Sequence, residues 1–413
     1  MAPVDENASS AKEPSMNRSF RQLLPLLLVM GWSSAAHAVD IRVSAFGDVT
    51  AGITAGDPAN AEDAANFDKY GDDIWPVNTN SGVGTMGTDF IMLADLTNNL
   101  TWLGEINFQA LRDSSTEYEV DVERFLVDYR VNQALNIQTG LFFTPIGLYN
   151  RFLYSRAWLV NSIQIPDMFE EEFNFAPSHT SGIMVHGGFF AGGSNTINYA
   201  VSVGNGRHDV PDETTYARDA TPFSETAGLV ELLVPGFKTS RVGVSGWTDT
   251  IETFKIDDYN VTVDVGDPVG FEEVRMRDVG FNPFVSLETR YVSLFGEYVF
   301  SHMTDLEGNL PEDSYDYHGA MAELSFHVAR RKVHPYVRFD MTKLPEDGGG
   351  PFLSLRGLGG NDIHRVWVPE TTNLLLGSAF DVHKHARLKA EYGYFMNGPR
   401  PMHAITTQVA YGF

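Results

Sequence analysis

Along most of its length the chain alternates apolar and polar side chains at period two, in segments of about ten residues, and the polar set carries full charges. In residues 100–111, Trp102, Ile106, Phe108 and Ala110 share one parity, and Thr101, Glu105, Asn107 and Gln109 the other. Residues 122–131 set Phe125, Val127 and Tyr129 against Arg124, Asp128 and Arg130. Residues 333–341 oppose Val337, Phe339 and Met341 to Tyr336, Arg338 and Asp340, and residues 387–396 oppose Leu388, Ala390, Tyr392 and Tyr394 to Arg387, Lys389 and Glu391. Successive side chains of a strand point to opposite faces, so the pattern predicts strands with one greasy and one charged face. A soluble sandwich also alternates, but it brings two apolar faces together and has short turns at both ends.

The connections separate these cases. Short ones fall at 98–99, 132–134, 191–195, 235–238, 290, 329–332 and 384–385. Long ones fall at 55–86, 113–119, 145–179, 206–224, 250–277, 304–314 and 344–369, with a shorter one at 397–401. Counting strands between them gives sixteen, with short turns on one rim and loops on the other. The expected fold class is all-β, a transmembrane antiparallel β-barrel. Lipid cannot hydrogen-bond a bare backbone, so a sheet survives there only by closing on itself. That many strands leave an aqueous channel, so water is expected where a core would otherwise be. Aromatic residues make up 12% of the chain, and Trp102, Tyr129, Trp247, Tyr392 and Tyr411 near strand ends suit interfacial girdles.

The N-terminus carries its own message. Arg18 and Arg21 precede an apolar run at 23–30 and the triplet Ala36-His37-Ala38, which together read as a secretory signal with its cleavage site. Met16 is a plausible true start, and the expected division is extension and signal at 1–38 and barrel at 39–413. The run is shorter than the roughly 18 residues expected of a spanning helix. Cysteine is absent, which excludes disulfides, thiolate catalysis and a lipid-modified cysteine. The net charge of −25 repels nucleic acid and argues against a role there.

The chain ends Val409-Ala410-Tyr411-Gly412-Phe413. With the signal, the strand layout and this aromatic end, the sequence resembles Gram-negative outer-membrane porins over the whole mature chain. The resemblance implies that Val409, Tyr411 and Phe413 form the signal read by the barrel-assembly machinery. It further implies a homotrimer in contact with outer-membrane lipid and lipopolysaccharide, with no cofactor. Residues 135–147 look like the strand that runs into an inserted loop in substrate-specific porin groups, including phosphate-selective ones. The Pro-Glu-Phe-Gly motif found in the third loop of enteric general porins is absent.

In porins the third loop folds inward and narrows the channel, and here that loop is 145–179. Tyr149, Phe152, Leu153, Trp158, Leu159 and Ile163 could pack on the wall, with a short helical turn. Its polar side offers Arg151, Arg156, Asp167, Glu170, Glu171 and Glu172 as constriction residues. The three glutamates either face the pore, where they attract cations, or merely solvate the loop. Arg124, Arg130, Arg241, Arg338, Arg387 and Lys389 have inward parity. They either set up a field across the lumen or pair with Asp128, Asp340 and Glu391 on the wall.

Other motifs carry less. Gly82-Val83-Gly84-Thr85-Met86-Gly87 precedes a strand without a following helix, and Gly243-Val244-Ser245-Gly246-Trp247 lacks the closing glycine of a nucleophile elbow. His383 and His385 sit in a turn without a third metal ligand. The leading expectation is a non-enzymatic passive diffusion channel for small hydrophilic solutes with cation preference. The alternatives are a channel specific for anionic or carboxylate solutes, a non-conducting adhesive or structural barrel, and a barrel enzyme.

Overall fold

Alternation of this kind builds strands that are greasy outside and polar inside. The computed structural model describes residues 39–55, 82–110, 118–154, 157–169, 176–190, 192, 195–205, 223–234, 240–256, 271–308, 313–343, 370–396 and 401–413. The signal expected at 1–38 lies outside the described residues. The strands are β1 (Asp40–Ala55), β2 (Gly82–Asp95), β3 (Leu100–Ala110), β4 (Tyr118–Asn132), β5 (Leu135–Phe143), β6 (His179–Phe190), β7 (Thr196–Asn205) and β8 (Glu225–Leu233). They continue as β9 (Arg241–Ile256), β10 (Phe271–Glu288), β11 (Val292–Asp305), β12 (Ser314–Phe326), β13 (Val333–Lys343), β14 (Glu370–His383), β15 (Ala386–Phe395) and β16 (Met402–Gly412).

Each strand pairs antiparallel with its sequence neighbours, and β1 pairs with β16 to close the ring of sixteen. The expected strand number and topology are therefore observed. The seam runs in register from Phe46↔Gly412 to Ala55↔His403. One residue further, Phe413 N donates to Ala45 O at 2.9 Å and Ala45 N to Phe413 O at 2.7 Å. The β9–β10 hairpin reaches further than expected, pairing up to Ile256↔Phe271 inside the connection assigned to 250–277. Thr248, Thr250 and Glu252 take the outward parity of β9, so the hydrophobic signal fades although the backbone ladder continues.

Outward side chains form an apolar belt. Val43, Phe90, Val122, Val201, Val244, Phe281, Phe339, Leu388 and Val409 are all exposed. Large contiguous apolar surface of this kind is untenable in water and natural in lipid. Among the described residues no helix is long and apolar enough to cross a membrane. Tyr129, Tyr392 and Tyr411 lie on this outer face, whereas Trp247 corrects the girdle expectation. It pairs with Gly280 on the inner face, is buried, and donates from Nε1 to Asp278 Oδ2 at 2.6 Å. Its parity partners Arg241, Ser245 and Asp249 already point inward, and Val242 and Val244 outward.

At the seam the Tyr411 ring crosses over Gly47 and its hydroxyl lies 2.6 Å from Thr88 Oγ1. A Cβ on Gly47 would lie 2.4 Å from both Tyr411 Oη and Gly87 O. Because Gly87 O is backbone, the clash cannot be relieved by a rotamer change. Gly47→Val is expected to reduce the yield of closed barrel severely, read as loss of heat-modifiable gel migration. Unchanged migration would show that the seam tolerates a side chain there.

Candidate functional site: the lumen and its third loop

Between β5 and β6, the described residues 144–154, 157–169 and 176–178 lie against the inner wall of the barrel. The neck is tied by Thr144 N donating to Ser178 O at 3.0 Å, and by Asn150 Nδ2 donating to Ser178 O at 2.9 Å and Thr144 O at 3.1 Å. Gly147 then adopts φ +54°, and a Cβ there would meet Glu297 Oε2 at 2.3 Å. This left-handed turn, open to glycine, aims successive amides at the wall. Gly147 N donates to Ser245 Oγ at 2.9 Å, and Leu148 N and Tyr149 N donate to Glu297 Oε1 at 2.7 and 2.6 Å. A short helix α1 (Tyr149–Phe152) follows, as the sequence suggested.

The loop next runs beside β15 and β13, where a row of cations takes its carbonyls. Arg387 Nη1 donates to Val160 O at 3.2 Å and Lys389 Nζ to Ser162 O at 2.9 Å. Arg338 Nη1 donates to Gln164 O and, at 2.8 Å, to Ser162 Oγ. From the other side Ile163 N donates to Glu391 Oε2 at 3.0 Å, and Asn161 Nδ2 to Ser325 Oγ at 2.9 Å. Alternate carbonyls bind cations and an intervening amide binds a carboxylate, as an added strand would use its neighbours. Asp167, in the 3-10 turn Asp167–Phe169, accepts from Thr371 Oγ1 at 2.8 Å and Asn373 Nδ2 at 3.0 Å. Burial pushes its carboxyl above the usual range, against those hydrogen bonds and the Arg338 charge.

An apolar cluster completes the attachment. Ile146, Tyr149, Met168 and Phe169 from the loop pack on Trp247, Ile251, Met276, Val299, Met303, Tyr315, Tyr317 and Met321 from the inner wall. The expectation that water alone fills the barrel is therefore corrected: a core exists, built between the loop and β9–β12. Of the apolar loop residues expected to pack, Tyr149, Phe152 and Leu153 do, and Trp158 lies under the Arg387 guanidinium at 5.5 Å. Leu159 is instead exposed.

The predicted site residues separate into groups. Arg338, Arg387, Lys389 and Glu391 converge on the loop, and Asp340 pairs with Arg338 at 2.7 Å. Asp167 joins them and is 6% exposed, so it tethers the loop and does not face the water path. Arg151 and Arg241 meet at Glu231, at 3.3 and 3.6 Å. Burial holds the Arg151 guanidinium below its ordinary pKa, opposed by Glu231. On β4 Arg124 pairs with Glu105 and stands over the Phe143 ring at 4.9 Å, Asp128 contacts His186 Nε2 at 3.2 Å, and Arg130 is exposed near the end of the strand. A bulge beside Glu105 frees Glu123 to accept a contact from His179 Nε2 at 3.1 Å. Val409, Tyr411 and Phe413 point outward, with Phe413 66% exposed. Arg156, Glu170, Glu171 and Glu172 lie outside the described residues. Sequence reasoning missed Glu231 and Glu297, although each is an acid at inward parity, next to Leu229 in β8 and between Phe295 and Val299 in β11.

No protein-family model matches the chain, and no curated protein matches it. Solved structures do. OmpT of Vibrio cholerae in its trimer form superposes with a TM-score of 0.54 at 12% identity, covering 91% of this chain and 100% of that one. An anion-selective porin from Comamonas acidovorans gives 0.55 at 9% identity, covering 91% and 100%. The chain has the fold of a bacterial outer-membrane porin. The outer-membrane channel DcaP of Acinetobacter baumannii, at 10% identity and a TM-score of 0.51, covers 93% of this chain and 99% of its own. At these identities the porin fold is shared while the side chains of the lumen are this protein's own.

Arg338 is fully buried, so its removal strands both Asp340 and the loop carbonyl. Arg338→Met is expected to destabilise the folded protein in detergent by about 3–5 kcal/mol, the cost of an uncompensated buried charge. Adding Asp340→Asn should recover much of that loss in urea unfolding. Equal losses in the single and double variants would show that the ion pair is not the cause.

Proposed function

We propose that the protein is a non-enzymatic porin of the bacterial outer membrane, a passive diffusion channel for small hydrophilic solutes. The observation that carries this reading is the one-sided placement of the third loop. Inner side chains of β8–β14 such as Glu231, Asn282, Met321, Arg338 and Leu375 are buried, while on β2–β5 Leu93, Leu103, Asp128 and Asn136 keep partial exposure beside the buried Asp89, Glu105, Leu126 and Gln138. This supports a water path beside β2–β5, narrowed by the loop. A homotrimer accords with the trimer form in which the Vibrio cholerae protein was solved.

Cation preference belongs to the same proposal. The chain carries a net charge of −25, and three lumen cations, Arg338, Arg387 and Lys389, are already engaged by loop carbonyls. Carboxylates dominate what remains, and pore charges act at close range. Glu170, Glu171 and Glu172 are proposed to add to this field at the constriction.

Purified protein in planar bilayers under a salt gradient is expected to give discrete conductance steps and a reversal potential of cation-selective sign. Absence of steps would sink the channel reading, and an anion-selective sign would sink the preference. Replacing Glu170, Glu171 and Glu172 together by Gln should move the reversal potential toward zero; an unmoved value would remove them from the constriction.

Phe413 is proposed to act with Val409 and Tyr411 in recognition by the assembly machinery and in closure. Deleting it should lower the amount of assembled barrel in the outer membrane while each surviving channel conducts as before. Wild-type amounts after the deletion would remove that role.

A further inference from the structure

The loop leaves a cavity of about 420 Å³ at its foot, between α1 and the inner wall of β5–β9. Two cations border it. The Arg151 guanidinium lies 4.6 Å and that of Arg241 4.8 Å from the centre of the same Phe152 ring. Both share one carboxylate, Glu231, through Nη1 of each, and Glu231 also accepts from Asn198 Nδ2 at 3.0 Å. Glu231 is shared by both guanidinium groups and Glu297 also acts on Arg151, so this corner sets two cations against two acids. A guanidinium carries five N–H donors in a fork that fits a carboxylate. Side-chain exposures of 18% and 22% leave both forks partly open to the cavity.

The remaining lining narrows the ligand class. Phe143, Pro145, Phe152, Met184 and Leu229 give it an apolar floor, with Asn136 and His186 at its edge. His186 is already in contact with Asp128 at 3.2 Å. An inorganic anion would leave that floor without a partner, and a neutral apolar molecule would leave the guanidinium pair unused. Small-molecule sites are commonly concave and apolar, with a few placed polar groups.

We propose that this cavity binds an organic monocarboxylate with an apolar body, its carboxylate held by Arg151 and Arg241 and its body on Phe152. The site is a way-station that lends an anionic solute a foothold in a cation-preferring lumen. It rests on the channel reading for its purpose, though binding itself does not. Burial and the Arg241 charge both disfavour the charged form of Arg151, and a bound carboxylate would relieve that repulsion.

Calorimetric titration of the full chain in detergent tests binding independently of conduction, with benzoate as the probe and inorganic phosphate and benzyl alcohol as controls. Benzoate is expected to bind at least about tenfold more tightly than either control, since benzyl alcohol loses a charge-assisted hydrogen bond and phosphate loses the burial of an apolar body, each worth about that factor. Equal binding of phosphate and benzoate would reduce the site to general electrostatics, and no benzoate binding would overturn it. Arg241→Gln, checked for barrel closure by gel migration, should weaken benzoate by about tenfold or more; an unchanged affinity would overturn the assignment. If that variant fails to close, the wild-type comparison of the three probes still decides. In bilayers benzoate should also interrupt the current. Failure of the channel reading would show as no conductance at all, whereas failure of this proposal would show as conductance without benzoate binding.

Discussion

Hydrocarbon offers an amide no hydrogen-bond partner, and each unpaired group there costs several kcal/mol. Everything else in the molecule follows from meeting that demand. The sheet must close, so the first and last strands pair, and β1 meets the C-terminal residue at Ala45 and Phe413. Once closed, the outer face can be greasy and the inner face polar, which is the inverse of a soluble protein. The Tyr411 ring lying over Gly47 shows how tightly that seam is drawn.

Closure creates a second demand, because a wide ring encloses more volume than inward side chains can fill. The third loop meets it on one side by two means. Loop apolar residues find a matching patch of Trp247, Met276, Tyr317 and Met321, and the loop backbone is satisfied by wall charges. Asp340 and Asp381 keep Arg338 and Arg387 paired, with Asp381 accepting from Arg387 Nε at 2.7 Å. The cations of β13 and β15 are thus chiefly structural where the loop lies.

The ring was legible in the sequence because each strand meets two opposed solvents, and that contrast is written residue by residue. Trp247 shows the same signal overlooked: its parity with Arg241 and Asp249 places it inside, although its residue type suggests a girdle. Polar residues take the outward parity of β9 at Thr248, Thr250 and Glu252, which is why the β9–β10 hairpin runs past its expected end at 250. The inward parity of Arg338, Arg387 and Lys389 was readable, but their partners were not. Those partners are carbonyls of Gln164, Val160 and Ser162, and a backbone oxygen leaves no mark on residue identity. Glu297 was hidden for a related reason, since it serves the amides of Leu148 and Tyr149.

The fastening of the loop has a mechanical side. A ring of sixteen strands is a thin shell, and thin shells yield most easily by flattening into an oval. Here a strut springs from β5 and β6 and is bolted along walls that include β9, β11, β13 and β15. Squeezing the shell along that diameter must compress or tear the strut, so lateral pressure from the bilayer is resisted from within. The segment that fills part of the ring thereby also braces it.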